Sequence, residues 1–166
     1  MSQPPPQVDP TQFRRTLAHW ASGVTIVTAL TDHGPQGMTA NSFSSVSLDP
    51  PLVLVCVDHR ARMHQAMRGA THYGVSILAR EQEAVSNHFA GRPVPLAADP
   101  FVTFEGMPVI AGALAHLVCR ITDAHEAGDH TVYIAAVEHS QYQDAAAPLL
   151  YFSGKYRTVA DAPPAP

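Results

Sequence analysis

The chain has 166 residues, which is enough for one domain core and too few for two. Its 10 Lys plus Arg against 14 Asp plus Glu give a formal charge of −4, which excludes the strong basic field that nucleic-acid binding needs. No stretch approaches the roughly 20 apolar residues of a membrane span, and the first residues lack the basic and apolar segments of an export signal. We therefore expect a cytoplasmic domain without nucleic-acid or membrane partners.

The composition predicts contact with another subunit. Charged residues make up 14% of the chain, against about 25% in a typical soluble domain, while 46% are hydrophobic. So few charges favour a buried subunit interface over a fully solvated surface. The two cysteines, Cys56 and Cys119, form no C-x-x-C pair, so neither a disulfide framework nor a zinc site is indicated.

Proline-rich segments are predicted at both ends of the chain. Repeated proline removes backbone donors and fixes φ, so residues 1–9 and 159–166 are expected to be extended or disordered tails. The folded domain is expected to cover residues 10–158.

The first predicted element is an amphipathic helix. Asp9 is a helix N-cap with Pro10 at the first helical position, and apolar residues recur at helical spacing until Gly23. A β-branched strand then covers residues 24–28, and the polar residues 31–37 predict a hairpin connection into a long strand.

The rest of the chain is predicted to be mainly β, because several alternating or β-branched segments follow and only short helices interrupt them. The remaining strands are predicted at 52–57, 73–78, 101–104, 113–125, 131–142 and 149–156, and the short helices at 62–69 and 81–90. This order lacks alternating strand–helix units, so we expect an antiparallel barrel.

Several common sites are excluded by motif. The glycines never occur as G-x-G, and neither a phosphate-binding P-loop nor a G-x-S-x-G nucleophile turn is present. The ten histidines are not paired as H-x-x-x-H or H-x-H, and the nearest pairs, such as His59 with His64, are five apart. No metal site is therefore expected.

The densest polar segment is residues 39–47, in which six of nine side chains carry a hydroxyl or an amide. Small polar side chains let a flat ligand approach the backbone, whose amides and carbonyls then pair with a ring edge. This favours a heteroaromatic cofactor, and the alternative is an exposed serine-rich strand.

Two further segments carry candidate binding groups. Residues 58–64 hold two arginines and two histidines at the start of a helix, which predicts either a phosphate pocket or a solvated basic face. His130 follows a turn at Gly128-Asp129, where its imidazole is placed either at the mouth of a pocket or in an ordinary structural or exposed role.

Taken together, these segments resemble the flavin reductase family. The resemblance is carried by a string of ordered motifs over residues 10–157: Gly23-Val-Thr-Ile-Val-Thr28, Gly37-Met-Thr-Ala-Asn-Ser-Phe-Ser-Ser-Val-Ser-Leu-Asp-Pro-Pro51, Arg62-Met-His64, Tyr73-Gly-Val-Ser-Ile-Leu78, Asp129-His-Thr131 and Pro148-Leu-Leu-Tyr-Phe152. More narrowly, the chain is similar to the reductase components of two-component flavin monooxygenases, especially the styrene type, which also has Arg-Met-His here. The resemblance implies an FMN-binding split barrel that forms a homodimer.

The resemblance also implies roles for individual residues. The ring edge of the flavin would be lined from the segment that holds Thr39, Ala40, Asn41, Ser42 and Ser45. The phosphate would be met by Arg62, with Arg60 standing in where many members have a hydroxyl residue beside the loop arginine and this chain has Ala61 and Met63. Residues elsewhere in the chain would flank the flavin (Ser86, Phe89 and Tyr156) and meet the nicotinamide (His130).

The function implied is reduction of FAD or FMN by NADH or NADPH, with release of the reduced flavin to a separate monooxygenase component. Neither the choice of flavin nor the choice of nicotinamide has a signature in the chain. A flavin carrier without turnover and an interaction protein whose serine-rich strand is a dimer edge remain as alternatives.

Overall fold

The computed structural model describes residues 8–92, 94–144 and 146–159. Apart from Val8, Asp9 and Val159, the predicted proline-rich tails lie outside these residues. None of the described helices is long and apolar enough to cross a membrane.

The described residues form three α-helices, a short 3₁₀ helix at Arg80–Gln82 and twelve strands. The helices are α1 (Pro10–Leu17), α2 (Arg62–Arg68) and α3 (Glu83–Phe89). The strands are β1 (Ser22–Gly23), β2 (Thr25–Thr31), β3 (Gly34–Ala40), β4 (Ser44–Leu48), β5 (Pro51–Asp58), β6 (His72–Ile77), β7 (Phe101–Phe104), β8 (Met107–Ile110), β9 (Ala115–Ala127), β10 (His130–Tyr142), β11 (Leu150–Phe152) and β12 (Lys155–Arg157).

Seven strands make the main sheet, in the order β3-β2-β6-β9-β10-β5-β4. All its strand pairs are antiparallel. Residues 41–43 alone connect β3 at one end of the order to β4 at the other, so the sheet must curl to bring its ends together. The prediction of a mainly β, antiparallel fold with a few short helices is confirmed.

The core lies inside this curled sheet. Along β5, Val53, Val55 and Val57 are buried while the residues between them are partly exposed, as the two-residue period of a strand requires. Met63 and Met67 of α2 are also buried, and they pack with Tyr73 of β6 in the same cluster. A second cluster surrounds Leu78, outside the first.

The N-terminal helix differs from its prediction. It begins at Pro10 with Asp9 as its cap, but it ends at Leu17 rather than near Gly23. The reason is that Ser22 and Gly23 pair with Tyr151 and Leu150, which draws the chain into a strand. None of the residues of α1 is buried, and its apolar side chains Phe13 and Leu17 are each 53% exposed in the described chain.

The predicted long strand is also interrupted. Residues 41–43 leave the sheet between β3 and β4, because β3 pairs with β2 whereas β4 pairs with β5. The serine-rich segment is therefore a strand end, a crossing and a second strand. In the same way, the strand predicted at 149–156 is divided by the turn at Ser153-Gly154 into β11 and β12.

Candidate functional site

Two neighbouring clefts lie on either side of the end of β3. The first has a volume of about 630 Å³ and the second about 580 Å³, both within the range of small-molecule sites. Thr39 of β3 and Ala90, which follows α3, line both clefts. The two clefts therefore share a wall that contains Thr39, the first residue of the predicted cofactor segment.

A short hydrogen-bonded chain fixes the wall of the first cleft. The Thr39 hydroxyl donates to the backbone carbonyl of Ser86, at 2.6 Å. The Ser86 hydroxyl, which is fully buried, lies 2.8 Å from the Tyr156 hydroxyl. Three elements distant in sequence, β3, α3 and β12, are thus joined at one place, and the predicted residues Thr39, Ser86 and Tyr156 meet there with Asn41 beside them.

The rim of the first cleft carries three cations that the sequence analysis did not select. They are Arg92, Lys155 and Arg157, and the lining contains a single acid, Glu83. Such a rim attracts a phosphate or pyrophosphate group. Lys155 and Arg157 flank Tyr156 in β12, so the motif that was selected for its tyrosine also contains these two cations. Arg92 follows α3 and belongs to no motif of the sequence analysis.

The second cleft is shaped by the contact between Phe89 and Gly37. A Cβ atom on Gly37 would lie 2.6 Å from a ring carbon of Phe89, so only glycine permits this approach. Phe89 also packs on Phe101, with ring centroids 5.5 Å apart. Arg62 lines this cleft, where it is placed to meet an anionic group.

Three other residues of the predicted cofactor segment face elsewhere. The Ser42 hydroxyl donates to the carbonyl of Cys56 at 2.8 Å and so ties the β3–β4 crossing to β5. Ala40 belongs to the core cluster, and Ser45 is exposed on β4. None of the three lines either cleft. Any contact between Ala40 or Ser42 and a ring edge must therefore come from the main chain.

Arg60 lies outside both clefts. Its guanidinium contacts the Asp58 carboxylate at 2.7 Å, and its side chain is 84% exposed. The hydrogen bonds from Arg60 hold the pKa of Asp58 far below its usual range. Of the two predicted phosphate-binding arginines, Arg60 is therefore paired within its own loop, and Arg62 alone lines a cleft.

His130 also lies apart from the two clefts, at the turn between β9 and β10. Gly128 makes this turn with a φ of 65°, a left-handed conformation that favours glycine. The His130 Nδ1 donates to the Asp129 carboxylate at 2.6 Å, and this hydrogen bond lowers the pKa of Asp129. With Nδ1 held in this way, Nε2 is left to face a ligand or solvent.

The first cleft fits a flavin nucleotide in its donor set. An aromatic phenol and small hydroxyl side chains line one part, and cationic side chains line another. A planar ring system with an anionic tail has complementary chemistry. The arrangement contains no paired carboxylates and no nucleophile–base pair among its lining residues, so it is suited to binding and orienting a reactive cofactor.

The comparisons with known proteins agree on one family. The model of the flavin reductase like domain matches residues 17–160. An NADH-dependent flavin reductase from a Rhodococcus species is 46% identical over 157 residues, covering 93% of this chain and 89% of the relative.

Two solved structures extend the comparison. The NADH:FAD oxidoreductase of Streptomyces globisporus, in complex with NAD and FAD fragments, superposes with a TM-score of 0.86 at 41% identity, covering 94% of this chain and 98% of that one. The styrene monooxygenase flavin reductase of Pseudomonas putida S12 superposes with a TM-score of 0.82 at 35% identity, covering 89% and 97% respectively.

Proposed function

The chain belongs to the flavin reductase like domain family, and from this premise we propose that it is an NADH-dependent flavin reductase serving a separate monooxygenase. The two bound ligands would supply a hydride transfer from C4 of the nicotinamide to N5 of the flavin, by which NADH and FAD would become NAD⁺ and FADH⁻. The reduced flavin then leaves for the oxygenase component, as the reductase role of the styrene-type relative supports.

The observation that carries this proposal is the first cleft. Thr39, Ser86 and Tyr156 join three elements into one wall, and three cations stand on the same rim. We place the flavin ring against this wall and its phosphate group near Arg157. The main-chain amides of residues 39–45 would stabilise negative charge that grows along the ring edge during reduction.

The remaining predicted residues have supporting roles in this proposal. Phe89 and Arg62 bound the neighbouring cleft, where they would hold a part of the flavin or nicotinamide nucleotide. His130 would position the nicotinamide through its free ring nitrogen and is not needed as an acid, because hydride transfer requires no side-chain proton donor.

Steady-state NADH oxidation with FAD, FMN and riboflavin in parallel tests the proposal. We expect turnover with all three, and a higher KM for riboflavin because it lacks the phosphate that the cationic rim would bind. NADPH replaces NADH in a second series, in which we expect weaker turnover. Flavin binding without reduction by either nucleotide would contradict the enzyme assignment and favour a flavin carrier.

A charge variant sharpens this test. Arg157→Gln is expected to raise the KM for FAD and FMN about tenfold and to leave the KM for riboflavin unchanged, since only the nucleotides carry a phosphate. Arg80→Gln is the matched control, because Arg80 pairs with Glu81 and lines neither cleft. Equal effects of Arg157→Gln on all three flavins would reject the phosphate contact.

We further propose that the chain forms a homodimer in the cytoplasm. The apolar side chains of Trp20 and Leu48 are 77% and 90% exposed, and α1 buries none of its residues in the described chain. A second copy would cover such exposed apolar side chains, which supports an interface between copies.

Light scattering after gel filtration is expected to give twice the chain mass. Leu48→Glu should shift it toward one chain mass, whereas Val102→Glu, on the separate β7–β8 hairpin, should not. A single-chain mass for the unaltered protein would contradict the dimer.

A further inference from the structure

A second group of chemically active side chains lies away from both clefts. His59 follows β5, His64 is in the first turn of α2, and Glu126 is near the end of β9. Their ligand atoms all lie within 4.8 Å of one another. Within residues 8–92, 94–144 and 146–159, no other group of three such side chains meets this condition.

The three side chains converge on one hydroxyl group, that of Thr131. The Nε2 atoms of His59 and His64 lie 3.2 Å and 3.0 Å from the Thr131 Oγ1. The same oxygen donates a hydrogen bond to Glu126, at 3.1 Å. His59 Nε2 is also 2.8 Å from the other carboxylate oxygen of Glu126. The Nε2 atoms of both imidazoles therefore face the Thr131 hydroxyl, beside the Glu126 carboxylate.

The backbone beneath this group is fixed by the sheet. Thr131 of β10 pairs with Val57 on one side and with Glu126 on the other. The amide of His59 donates to the carbonyl of Asp129 at 3.0 Å, and Met63 anchors the first turn of α2 in the core. The ligand-bearing positions are thus held on rigid elements before any ion arrives, which lowers the entropy lost on binding.

We propose that His59, His64 and Glu126 form a binding site for a divalent first-row transition cation of the zinc type. Two imidazole nitrogens and one carboxylate oxygen are a set that zinc accepts, with a water molecule in the fourth position. Hard cations such as Mg²⁺ prefer sites made of oxygen ligands alone. Thr131, which hydrogen-bonds the carboxylate, is the outer partner that orients it.

Side-chain movements of about 1.5 Å or less admit the ion, since ligand atoms that are up to 4.8 Å apart must close to the spacing that zinc requires. Ligand atoms about 2.0 to 2.2 Å from zinc in tetrahedral geometry lie about 3.3 Å apart. His59 and Glu126 must separate slightly from 2.8 Å, and the Glu126 side chain, 74% exposed, is free to turn. The exposed carboxylate also provides the path by which a hydrated cation enters.

This site departs from the expectation drawn from sequence spacing. The five-residue separation of His59 and His64 fits no helical metal motif, and the third ligand comes from a strand far along the chain. Arg60 lies in the connection between β5 and α2, and Arg62 begins α2. Occupancy would link this region to the β9–β10 hairpin, which carries His130. Binding is expected to stabilise the folded chain accordingly.

Calorimetric titration of the untagged, chelator-treated chain with ZnCl₂ tests the proposal. We expect one zinc per chain and a rise in melting temperature with zinc concentration. His64→Ala and Glu126→Gln should each weaken zinc binding by at least about tenfold, which is the lower end of the cost of disturbing even an outer partner. Titration with CoCl₂ should give visible absorption bands of a four- or five-coordinate nitrogen–oxygen site.

The matched control is His125→Ala on the same strand as Glu126. His125 pairs with Asp123 at 2.9 Å, so it also forms a histidine–carboxylate pair, but without a second histidine. It should bind zinc within about twofold of the unaltered chain. Glu126→Gln changes an exposed side chain and keeps an acceptor for Thr131, so we expect this variant to fold. Weaker zinc binding by this variant then reports the loss of the carboxylate ligand.

Three results would overturn the site. They are the absence of stoichiometric zinc binding, unchanged affinity in both ligand variants, and an equal loss of affinity in His125→Ala. None of these results depends on flavin reduction, so the metal site and the proposed enzyme activity are tested independently.

Discussion

Polar groups are held differently at two places in the molecule. In the first cleft, Thr39, Ser86 and Tyr156 hydrogen-bond one another around a fully buried hydroxyl, and α3 packs its aromatic side against β3. At the β9–β10 turn, His130 and Asp129 form a pair whose side chains are 40% and 79% exposed. The wall of the cleft is formed before any ligand binds, whereas the side chains of the turn are exposed and can contact a ligand directly.

The difference indicates a division of work. A cleft whose wall is fixed by burial binds a ring at little cost in conformational entropy, so damage there should affect the fold and the flavin together. An exposed pair contributes little to stability and acts mainly on a ligand that contacts it. The following predictions test whether the two effects separate in this way.

The largest effect is expected from Gly37→Ala. The new Cβ atom would lie 2.6 Å and 2.7 Å from two ring carbons of Phe89, which is itself packed on Phe101. Overpacking of this kind costs about 1–3 kcal/mol, so displacement of α3 should weaken flavin binding about ten- to hundredfold. Fluorescence titration with FAD measures it.

Two variants control the Gly37 prediction. Phe89→Leu in the same chain should restore part of the affinity, because it removes the ring that the new Cβ atom displaces. Gly69→Ala should change nothing, since its Cβ would meet no atom within 4 Å. Tight flavin binding by Gly37→Ala alone would show that Phe89 and α3 do not shape the flavin site.

Tyr156→Phe is expected to have the next largest effect. It removes the partner of the buried Ser86 hydroxyl, and an unpaired buried hydroxyl costs about 1–3 kcal/mol. The free energy of unfolding in urea should fall by this amount and flavin affinity should fall severalfold. Tyr142→Phe, on a ring that is 77% exposed, should alter neither quantity. A loss of affinity without a loss of stability would show that the hydroxyl serves the ligand alone.

His130→Ala should distinguish most clearly the effect of the β9–β10 turn on NADH from the effect of the first cleft on flavin. We expect the KM for NADH to rise about tenfold, equivalent to losing one good hydrogen bond, while flavin affinity stays within twofold. His125→Ala, an exposed histidine on the neighbouring strand, is the control. Stopped-flow reduction with unchanged NADH saturation would reject a nicotinamide role for His130.

Asp129→Asn is expected to have the smallest effect, about a two- to threefold rise in the NADH KM, because Asp129 acts only through His130. The hydrogen bond from His130 lowers the pKa of Asp129 below its usual value of 3.8. Its charge, and any stability it contributes, is therefore present above pH 3.8 and is lost only as the pH falls through the lowered folded pKa.

Asp129→Asn should consequently raise the KM for NADH at every pH from about 5 to about 8, because the carboxylate that it replaces is ionised throughout this range. Measurement of both proteins across this range checks it. An unchanged KM for NADH in Asp129→Asn at every pH of this range would contradict the positioning role of Asp129.

Local patterns predicted most of the fold. β-branched runs and two-residue alternation located β5, β9 and β10, because those strands bury one face against the core. The end of α1 and the break between β3 and β4 were missed, since both depend on which distant strand pairs with each segment. Pairing partners are not encoded in the local spacing of residues.

The candidate site was also predicted only in part, because it depends on contacts between residues that are distant in the sequence. Thr39, Ser86 and Tyr156 were selected through family motifs, and the fold brings them together. Ser42 and Arg60 have the right chemistry, but nearer partners, Cys56 and Asp58, engage their side chains. Arg92 at the first cleft and the cluster of His59 with Glu126 become visible only in the folded chain, because the residues that they meet lie far away in the sequence.

A crystal structure of the chain with bound FAD is the most direct test of the central claim. The account predicts the isoalloxazine ring in the cleft lined by Thr39, Ser86 and Tyr156, with the pyrophosphate near Arg157. A ring bound elsewhere on the surface, or a pyrophosphate remote from all three rim cations, would contradict it.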